Sequence, residues 1–557
     1  MKKTVLSILT ALTALSVTAQ YSKHIIRLTD KNGTSYSFNN PSAFLSAKAI
    51  ERRTRFNISL DSTDLPVTAA YLDSIRLAGN VTILNKSKWL NQVLIQTTDA
   101  AALAKIQSFP FVKSSGPVAN RPFVPVNKFN EQIIESPQLP FQFQDVKGNY
   151  FDYGNSSGQV TIHEGEFLHN NGYRGEGMTI AVLDAGFQRY LNLAAFDSVR
   201  SNNQILGTWD FVRNETSVNE DHPHGMWCFS IIAANRPGIM VGTAPKAKFY
   251  LFRTEDAATE YPIEEQNWIA AAETADSLGV DLITSSLGYY VFDDPSFNHT
   301  YADMNGKTTM ITIAADLAVK KGMIVTNSAG NEGSGAWKYI IAPADGDSVF
   351  TVGAVDVNGQ VAAFSSYGPS SDGRVKPNVS SVGWRTYFTN TAGNTVQGNG
   401  TSFSNPNLAG LITCLWQAFP DFRNMEILDA IQKSSSKYTA PDDRMGYGIP
   451  NMKAAYDILF AEKQRRDASR ILGADWIKAY PVPFPDKFTV LLKGRLNGKV
   501  NLQLIDGSGR SIALKSIETQ TGNFYIISFD QLNTLPSGTY MLKYTDGKNK
   551  RTVRVVK

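Results

Sequence analysis

The sequence predicts an α/β protein: a mostly parallel sheet with helices on both faces, preceded by a small α/β module and followed by a β-sandwich module. Three observations point there. Between residues 150 and 465, near-continuous apolar runs alternate with longer helical runs, as in a parallel sheet buried on both faces. From about residue 466 the pattern changes to short alternating strands separated by Asp-Gly turns, as in a sandwich. The 557 residues leave room for about three to five domains at roughly 100–200 residues each.

The elements follow in chain order. Lys2 and Lys3 precede an apolar run from Val5 to Val17, and Val17-Thr18-Ala19 offers a small-residue cleavage site. Residues 1–19 therefore read as a secretory signal peptide. The run is short for a membrane anchor, and no later segment has the length of a transmembrane span. Residues 20–117 form the small α/β module. Val81 and Ile83 alternate against Val93 and Ile95 as paired strands, and Asp99 caps a short helix through Gln107. Residues 118–149 carry prolines, Asn and Gln with little periodicity, the composition of an exposed linker open to proteolytic processing. In the 150–465 domain, strands are expected at Thr179–Leu183, Phe249–Phe252, Leu282–Thr284, Met323–Thr326 and Val349–Val352. Helices are expected at Ile263–Leu278, Thr312–Lys321 and Ser404–Phe419. Lys499–Ile505, Phe524–Phe529, Thr539–Tyr544 and Arg551–Val556 are the expected sandwich strands.

Composition narrows the function. Two cysteines exclude a disulfide framework and a structural zinc cluster. Cys228 and Cys414 sit in apolar stretches and read as buried free thiols. A net charge of +4 gives no reason to expect a nucleic-acid partner or a polybasic membrane contact.

Ligands of a parallel sheet bind beyond the carboxyl ends of its strands, so the chemistry is sought there. Asp184 ends the strand Ala181-Val182-Leu183 and is followed by Ala185-Gly186. A carboxylate in that position can orient an imidazole. Of six histidines, His224 opens a buried run, Met226 to Ala234, just after Pro223, and is held rigidly enough for a general base. Ser402 lies where Gly398-Asn399-Gly400-Thr401 turns into a helix, with a backbone N–H and a helix dipole suited to an oxyanion. Asn331, in Ser328-Ala329-Gly330-Asn331-Glu332-Gly333, follows a buried strand and can donate an amide N–H to the same oxyanion. Taken singly, each motif is also the sequence of an ordinary turn or helix cap.

Together they are specific. The order Asp184, His224, Asn331, Ser402, at separations of 40, 107 and 71 residues, follows the Asp–His–Ser chain order of subtilisin. Residues 150–460 resemble the subtilisin-like serine proteases (subtilases, peptidase family S8). The resemblance rests on AVLDAG, HGM, SSLG, SAGNEG and GTSFSNP, supported by FSSYGP and GYGIPN. It implies a subtilisin-like fold and a secreted serine endopeptidase acting through an acyl-enzyme. Asp184 would be the orienting carboxylate, His224 the base and Ser402 the nucleophile. Asn331 would share the oxyanion hole with the Ser402 N–H. Ser286-Leu287-Gly288 would pair with an extended substrate, and Glu332 would lie near the pocket for the residue before the cleaved bond. The module at 20–117 would be an inhibitory propeptide and folding chaperone, with self-cleavage in the linker. No cofactor is required; structural calcium recurs in the family, and Asp303-Met304-Asn305-Gly306 is a faintly calcium-like loop that also reads as a polar turn.

Three departures from the family pattern stand out: Ala185 for Ser or Thr, Met226 for Thr, and Phe403-Ser404 for Met-Ala. They leave open a catalytically impaired, peptide-binding protein of the same fold. A metal-dependent hydrolase using His222 and His224 lacks a His-Glu-x-x-His helix. The tail is similar to the C-terminal sorting domain of the Bacteroidetes type IX secretion system, on Ala479 to Phe484, Leu535 to Tyr540 and the ending Val555-Val556-Lys557, with Val482 departing from the usual Asn. That resemblance implies a partnership with the type IX machinery, export through the periplasm and outer membrane, and release or surface attachment. A plain β-sandwich that binds substrate or a partner is the other reading of the tail.

Overall fold

The computed structural model describes residues 21–119, 129, 131–134 and 148–557. The expected signal peptide and most of the 118–149 linker lie outside the described residues. The chain divides into two units, residues 1–456 and 457–557.

At the centre of the first unit is a seven-stranded sheet. Its order is Val379–Val382, Phe350–Val355, Ile324–Ser328, Leu282–Ser285, Thr179–Asp184, Lys248–Arg253, Ile205–Asp210. Every pairing is parallel. The five expected strands are present, with ends shifted by at most three residues. The two edge strands escape the sequence pattern because Ile-Leu-Gly-Thr-Trp-Asp and Val-Ser-Ser-Val are not continuous apolar runs. Thr179–Asp184 is buried throughout, as a strand covered on both faces must be.

Ala181, Leu183, Ile283 and Val325 face one side, where Trp268 and Ala271 of the helix Pro262–Leu278 join Ala314 and Ala318 of the helix Met310–Lys320 in one apolar cluster. The helices His224–Ala233 and Thr401–Ala418 pack on each other and cover the other face. From Thr179–Asp184 the chain crosses to the edge strand Ile205–Asp210, returns through Lys248–Arg253, and then builds outward on the other side from Leu282–Ser285. The junction of Thr179–Asp184 with Leu282–Ser285 is therefore the topological switch point where a crevice opens.

The N-terminal module is a four-stranded antiparallel sheet ordered Thr82–Ser87, Gln92–Gln96, Lys23–Leu28, Val112–Ala119. Ile83 pairs with Ile95 as expected, and Asp99 accepts from the Ala102 N–H at 3.0 Å as the helix cap. The module packs against the C-terminal ends of two helices of the larger domain. Arg52 donates to the carbonyls of Asp276, Val280 and Lys321 and, at 2.6 Å, to the Asp276 carboxylate. Arg53 donates to Lys321 O and to both Asp276 oxygens. Helix C-termini leave carbonyls without partners, and the two guanidinium groups supply donors and positive charge there.

The linker departs from expectation. Its opening residues, Val118 and Ala119, complete the last strand of the module and are buried. Farther on, Gln132–Ile134 adds an antiparallel strand to Thr395–Asn399, pairing Gln132 with Asn399, Ile133 with Gly398 and Ile134 with Gln397. Gln132 and Ile133 are exposed, but the Glu131 side chain before them is only 5% exposed.

In the second unit, the strands Ile477–Tyr480, Phe488–Lys493 and Phe524–Phe529 form one sheet. Ser511–Thr519, Gly498–Ile505, Thr539–Thr545 and Lys550–Val556 form another. Phe488, Val490, Leu502, Leu504 and Leu542 share their common core. The Asp506-Gly507 signal marks a hairpin, but its left-handed residue is Gly509, because Asp506 accepts from the Ser508 and Arg510 N–H groups and draws out a longer turn.

Candidate active site

Four loops at the carboxyl end of the central sheet bring the predicted residues together. Asp184 is the last residue of its strand and is fully buried. His224 is the first residue of its helix, and Pro223 precedes it as the cap. Gly225 allows the two to meet: a Cβ there would lie 2.5 Å from Gly186 O and 2.7 Å from the Asp184 Cβ. His224 Nδ1 lies 2.7 Å from Asp184 Oδ1, which also accepts from the Ala185 N–H. Asp184 Oδ2 is buried without a partner among the described residues, beside an alanine that brings no hydroxyl. Met226 is fully buried and leaves the Asp184–His224 bond intact.

Ser402 lies in the first turn of Thr401–Ala418, four residues before Pro406. Proline has no N–H, so the Ser402 carbonyl loses its helical donor. Ser286 Oγ at 2.9 Å and Cys228 Sγ at 3.2 Å replace it. The Ser286 hydroxyl therefore braces the helix start. Cys228 is one of two free, buried cysteines; burial, with Asp184 nearby, raises its thiol well above the usual range and keeps it protonated. Asn331 Oδ1 accepts from Thr401 N at 2.9 Å and from Thr401 Oγ1 at 3.0 Å, so the Nδ2 end of the amide is its donor end.

These residues open on a cavity of about 600 Å³ whose walls include Ser402, Asn331, Ser286, Leu287, Gly288 and Glu332. Glu255, Glu260 and Asp293 also line it, and no lysine or arginine does among the described residues. Glu332 accepts from the Tyr290 hydroxyl at 2.8 Å; burial and this carboxylate raise the Tyr290 phenol, which stays a donor. Leu287 O accepts from Asn327 Nδ2.

Glu131 is the residue the motifs do not reveal. Its Oε1 lies 3.1 Å from His224 Nε2 and accepts from Ser402 Oγ at 3.0 Å. The Phe129 ring lies 4.6 Å from the rings of both His222 and His224. Burial alone would lower the pKa of His224, but the Asp184 and Glu131 carboxylates outweigh it and push the imidazole up to about 10. Burial likewise opposes the Glu131 charge, and the His224 imidazolium overcomes it, holding the carboxyl below its usual range. The only local hint of Glu131 is a short β-prone run, Gln132-Ile133-Ile134, in a linker otherwise rich in turn formers.

The other histidines stand apart. His163 and His169 are buried in structural hydrogen bonds, and His299 pairs with Glu265. His222 Nδ1 accepts from the His224 N–H, and both ring nitrogens of His224 are engaged by carboxylates, Asp184 and Glu131. The Asp303 loop is closed by its own hydrogen bonds as a polar turn. Asp303 Oδ2 accepts from Thr300, Asn305 Oδ1 from Lys307 and Thr308, and Met304 is core.

Comparison with known proteins adds three matches. Residues 175–448 match the subtilase family, residues 23–133 the peptidase S8 propeptide domain of Bacteroidota, and residues 478–557 the secretion system C-terminal sorting domain. Subtilisin NAT of Bacillus subtilis subsp. natto is 30% identical over 292 residues, 52% of this chain and 68% of that protein. Subtilisin of Bacillus pumilus is 30% identical over 292 residues and 94% of its own length. The thermostable alkaline protease of Halalkalibacterium halodurans is 28% identical over 274 residues, 49% of this chain and 66% of that protein. No helix of the described residues is long and apolar enough to cross a membrane.

Proposed function

The chain belongs to the subtilase family of serine-type endopeptidases, and from that premise we propose that it cleaves peptide bonds through Asp184, His224 and Ser402, with Asn331 in the oxyanion hole. The observation that carries this reading is the pairing at the switch point: His224 Nδ1 is 2.7 Å from Asp184, and His224 Nε2 and Ser402 Oγ each lie about 3 Å from one shared oxygen.

Each group then has a step. Ser402 Oγ attacks the substrate carbonyl while His224 Nε2 takes its proton and Asp184 stabilises the imidazolium. The carbonyl oxygen, now negative, receives the Ser402 N–H at the helix start and the Asn331 amide. His224 returns the proton to the leaving amine, and the acyl group stays on Ser402. Water, deprotonated by the same imidazole, attacks the acyl carbonyl and frees Ser402. Side chains and backbone supply every group, so the reaction needs no cofactor. The substrate lies extended along Ser286, Leu287 and Gly288, through backbone pairing. The carboxylates of Glu332, Glu255, Glu260 and Asp293 favour basic side chains before the cleaved bond. The N-terminal module inhibits until the chain cuts its own linker.

The sorting-domain match gives the destination: the protein is a zymogen exported by type IX secretion to the cell surface or the medium. The intact Asp184–His224 bond beside Met226 favours an active enzyme over an impaired binder.

Labelling of the processed protein with a fluorophosphonate, followed by mass mapping, tests the reading. Label on Ser402 that disappears in His224→Ala supports it. A folded, propeptide-free protein that takes no label refutes it and leaves a peptide-binding role. A Ser402→Ala chain that is still cut in the linker at the normal rate, in a protease-free preparation, refutes self-processing.

A further inference from the structure

Resting on that reading, we propose that Glu131 is a latch: its carboxylate occupies the gap that the catalytic proton must cross between Ser402 and His224, and holds the uncut chain inactive until the segment is drawn away.

The geometry carries the argument. Both atoms that must exchange a proton are engaged with one Glu131 oxygen, Ser402 Oγ at 3.0 Å and His224 Nε2 at 3.1 Å. One carboxylate oxygen thus bridges the two. Two anchors hold it there. On one side the Phe129 ring lies over His224; on the other, Gln132–Ile134 pairs with Thr395–Asn399. The side chain needs close approach to the backbone before Ser402: a Cβ on Gly400 would lie 3.2 Å from the Glu131 Cγ. The carboxylate itself is nearly sealed from solvent, and its Oε2 has no partner among the described residues. A buried ionised carboxylate needs a cation or hydrogen-bond donors, and here the catalytic imidazole supplies both.

The protonic consequence follows. Flanked by Asp184 and Glu131, His224 is held as the imidazolium, with both N–H groups donating. An imidazolium has no lone pair for the Ser402 proton, so the nucleophile stays a hydrogen-bonded hydroxyl. When Glu131 leaves, the His224 Nε2 proton passes to water. Its lone pair then accepts from Ser402 Oγ, and the triad is complete. The restraint is built to be released: the added strand is three residues long, has a single neighbour, and exposes Gln132 and Ile133. The Asp184 carboxylate stays behind and keeps the imidazole oriented.

The test has two readouts, the first on full-length chains refolded and labelled before they cut themselves. Each unit by which the His224 pKa falls raises the neutral fraction about tenfold. Glu131→Gln removes the charge at constant size. The expected result is that the uncut Glu131→Gln chain takes fluorophosphonate on Ser402 about tenfold or more faster than the uncut wild type. The second readout is independent of labelling. In Ser402→Ala chains, which do not cut themselves, the His224 imidazole should be protonated at neutral pH with Glu131 present and titrate lower with Gln in its place, by NMR. If the uncut wild type labels as fast as Glu131→Gln, while the processed wild type labels normally, the latch is refuted and the protease reading stands. An unchanged His224 titration between the two Ser402→Ala chains refutes it equally. Absence of label on the processed wild type refutes the protease reading, and the latch with it.

Discussion

Arg52→Met should loosen the propeptide without touching the peptidase domain. The Arg52 guanidinium is buried and makes four hydrogen bonds, three to carbonyls at or just beyond the ends of two helices and one to the Asp276 carboxylate at 2.6 Å. Methionine fills similar space and donates to none of them. Breaking a buried ion pair costs about 3–5 kcal/mol, because the other charge stays buried. Arg53 still contacts both Asp276 oxygens, at 2.8 and 3.0 Å, so the low end of that range applies. A loss of about 3 kcal/mol corresponds to a roughly 150-fold weaker complex. Most of such a change falls on the dissociation rate. The assay follows full-length chains that have processed: after dilution into a fluorogenic peptide, hydrolysis appears as the propeptide dissociates. Arg52→Met should release it about 150-fold faster than wild type. Arg52→Lys should fall between them, since an ammonium keeps the charge but not the planar fork that reaches several carbonyls. A dissociation rate within about threefold of wild type for Arg52→Met would refute the reasoning, because the four bonds would then be worth under about 1 kcal/mol.

Three further outcomes follow from the same geometry. Asn331→Leu removes the amide donor and should lower kcat by about 10²–10³ with little change in KM; an equal loss in KM alone would place Asn331 in ground-state binding. Glu332→Gln removes one carboxylate from the cavity wall and should reduce kcat/KM for peptides with Lys or Arg before the cleaved bond more than for neutral ones; a uniform change would exclude Glu332 as a specificity residue. His163 and His169 are both held at about 4 by burial. The unfolded chain binds their protons below about 6.5 and the folded chain does not until about 4. Their stabilisation is therefore complete above pH 6.5 and is lost as pH falls toward 4, by up to roughly 3 kcal/mol each. Urea midpoints of the Ser402→Ala chain at several pH values would show this fall, and His163→Gln should flatten it; equal slopes would contradict the assignment.

Much of the site is legible in the sequence because its signals are local. Asp184 ends an apolar strand, His224 follows a proline and opens a buried helix, and Ser402 ends a glycine-rich turn. In each case a few neighbours set the backbone, and the backbone aims the side chain. The five inner strands are legible for a related reason: burial on both faces demands an unbroken apolar run. The edge strand Ile205–Asp210 is only partly buried and its sequence is correspondingly mixed; Val379–Val382 is buried throughout, but its two serines break the apolar run.

What only the tertiary structure decided are the pairings between distant segments. Ser286 was expected along the substrate, and it does line the cavity. Its hydroxyl, however, is engaged by a carbonyl that Pro406 leaves without a donor, on a helix start more than a hundred residues away. Arg52 and Arg53 sit on an ordinary amphipathic helix in the sequence; that they cap two other helices follows only from docking. Glu131 lies in a stretch whose composition indicates an exposed linker, yet its carboxylate reaches Ser402 across 271 positions of chain. Local sequence encodes backbone conformation and burial pattern, which repeat over a few residues. A hydrogen bond between remote side chains depends on where two separately formed elements come to rest, and that is settled by packing of the whole domain.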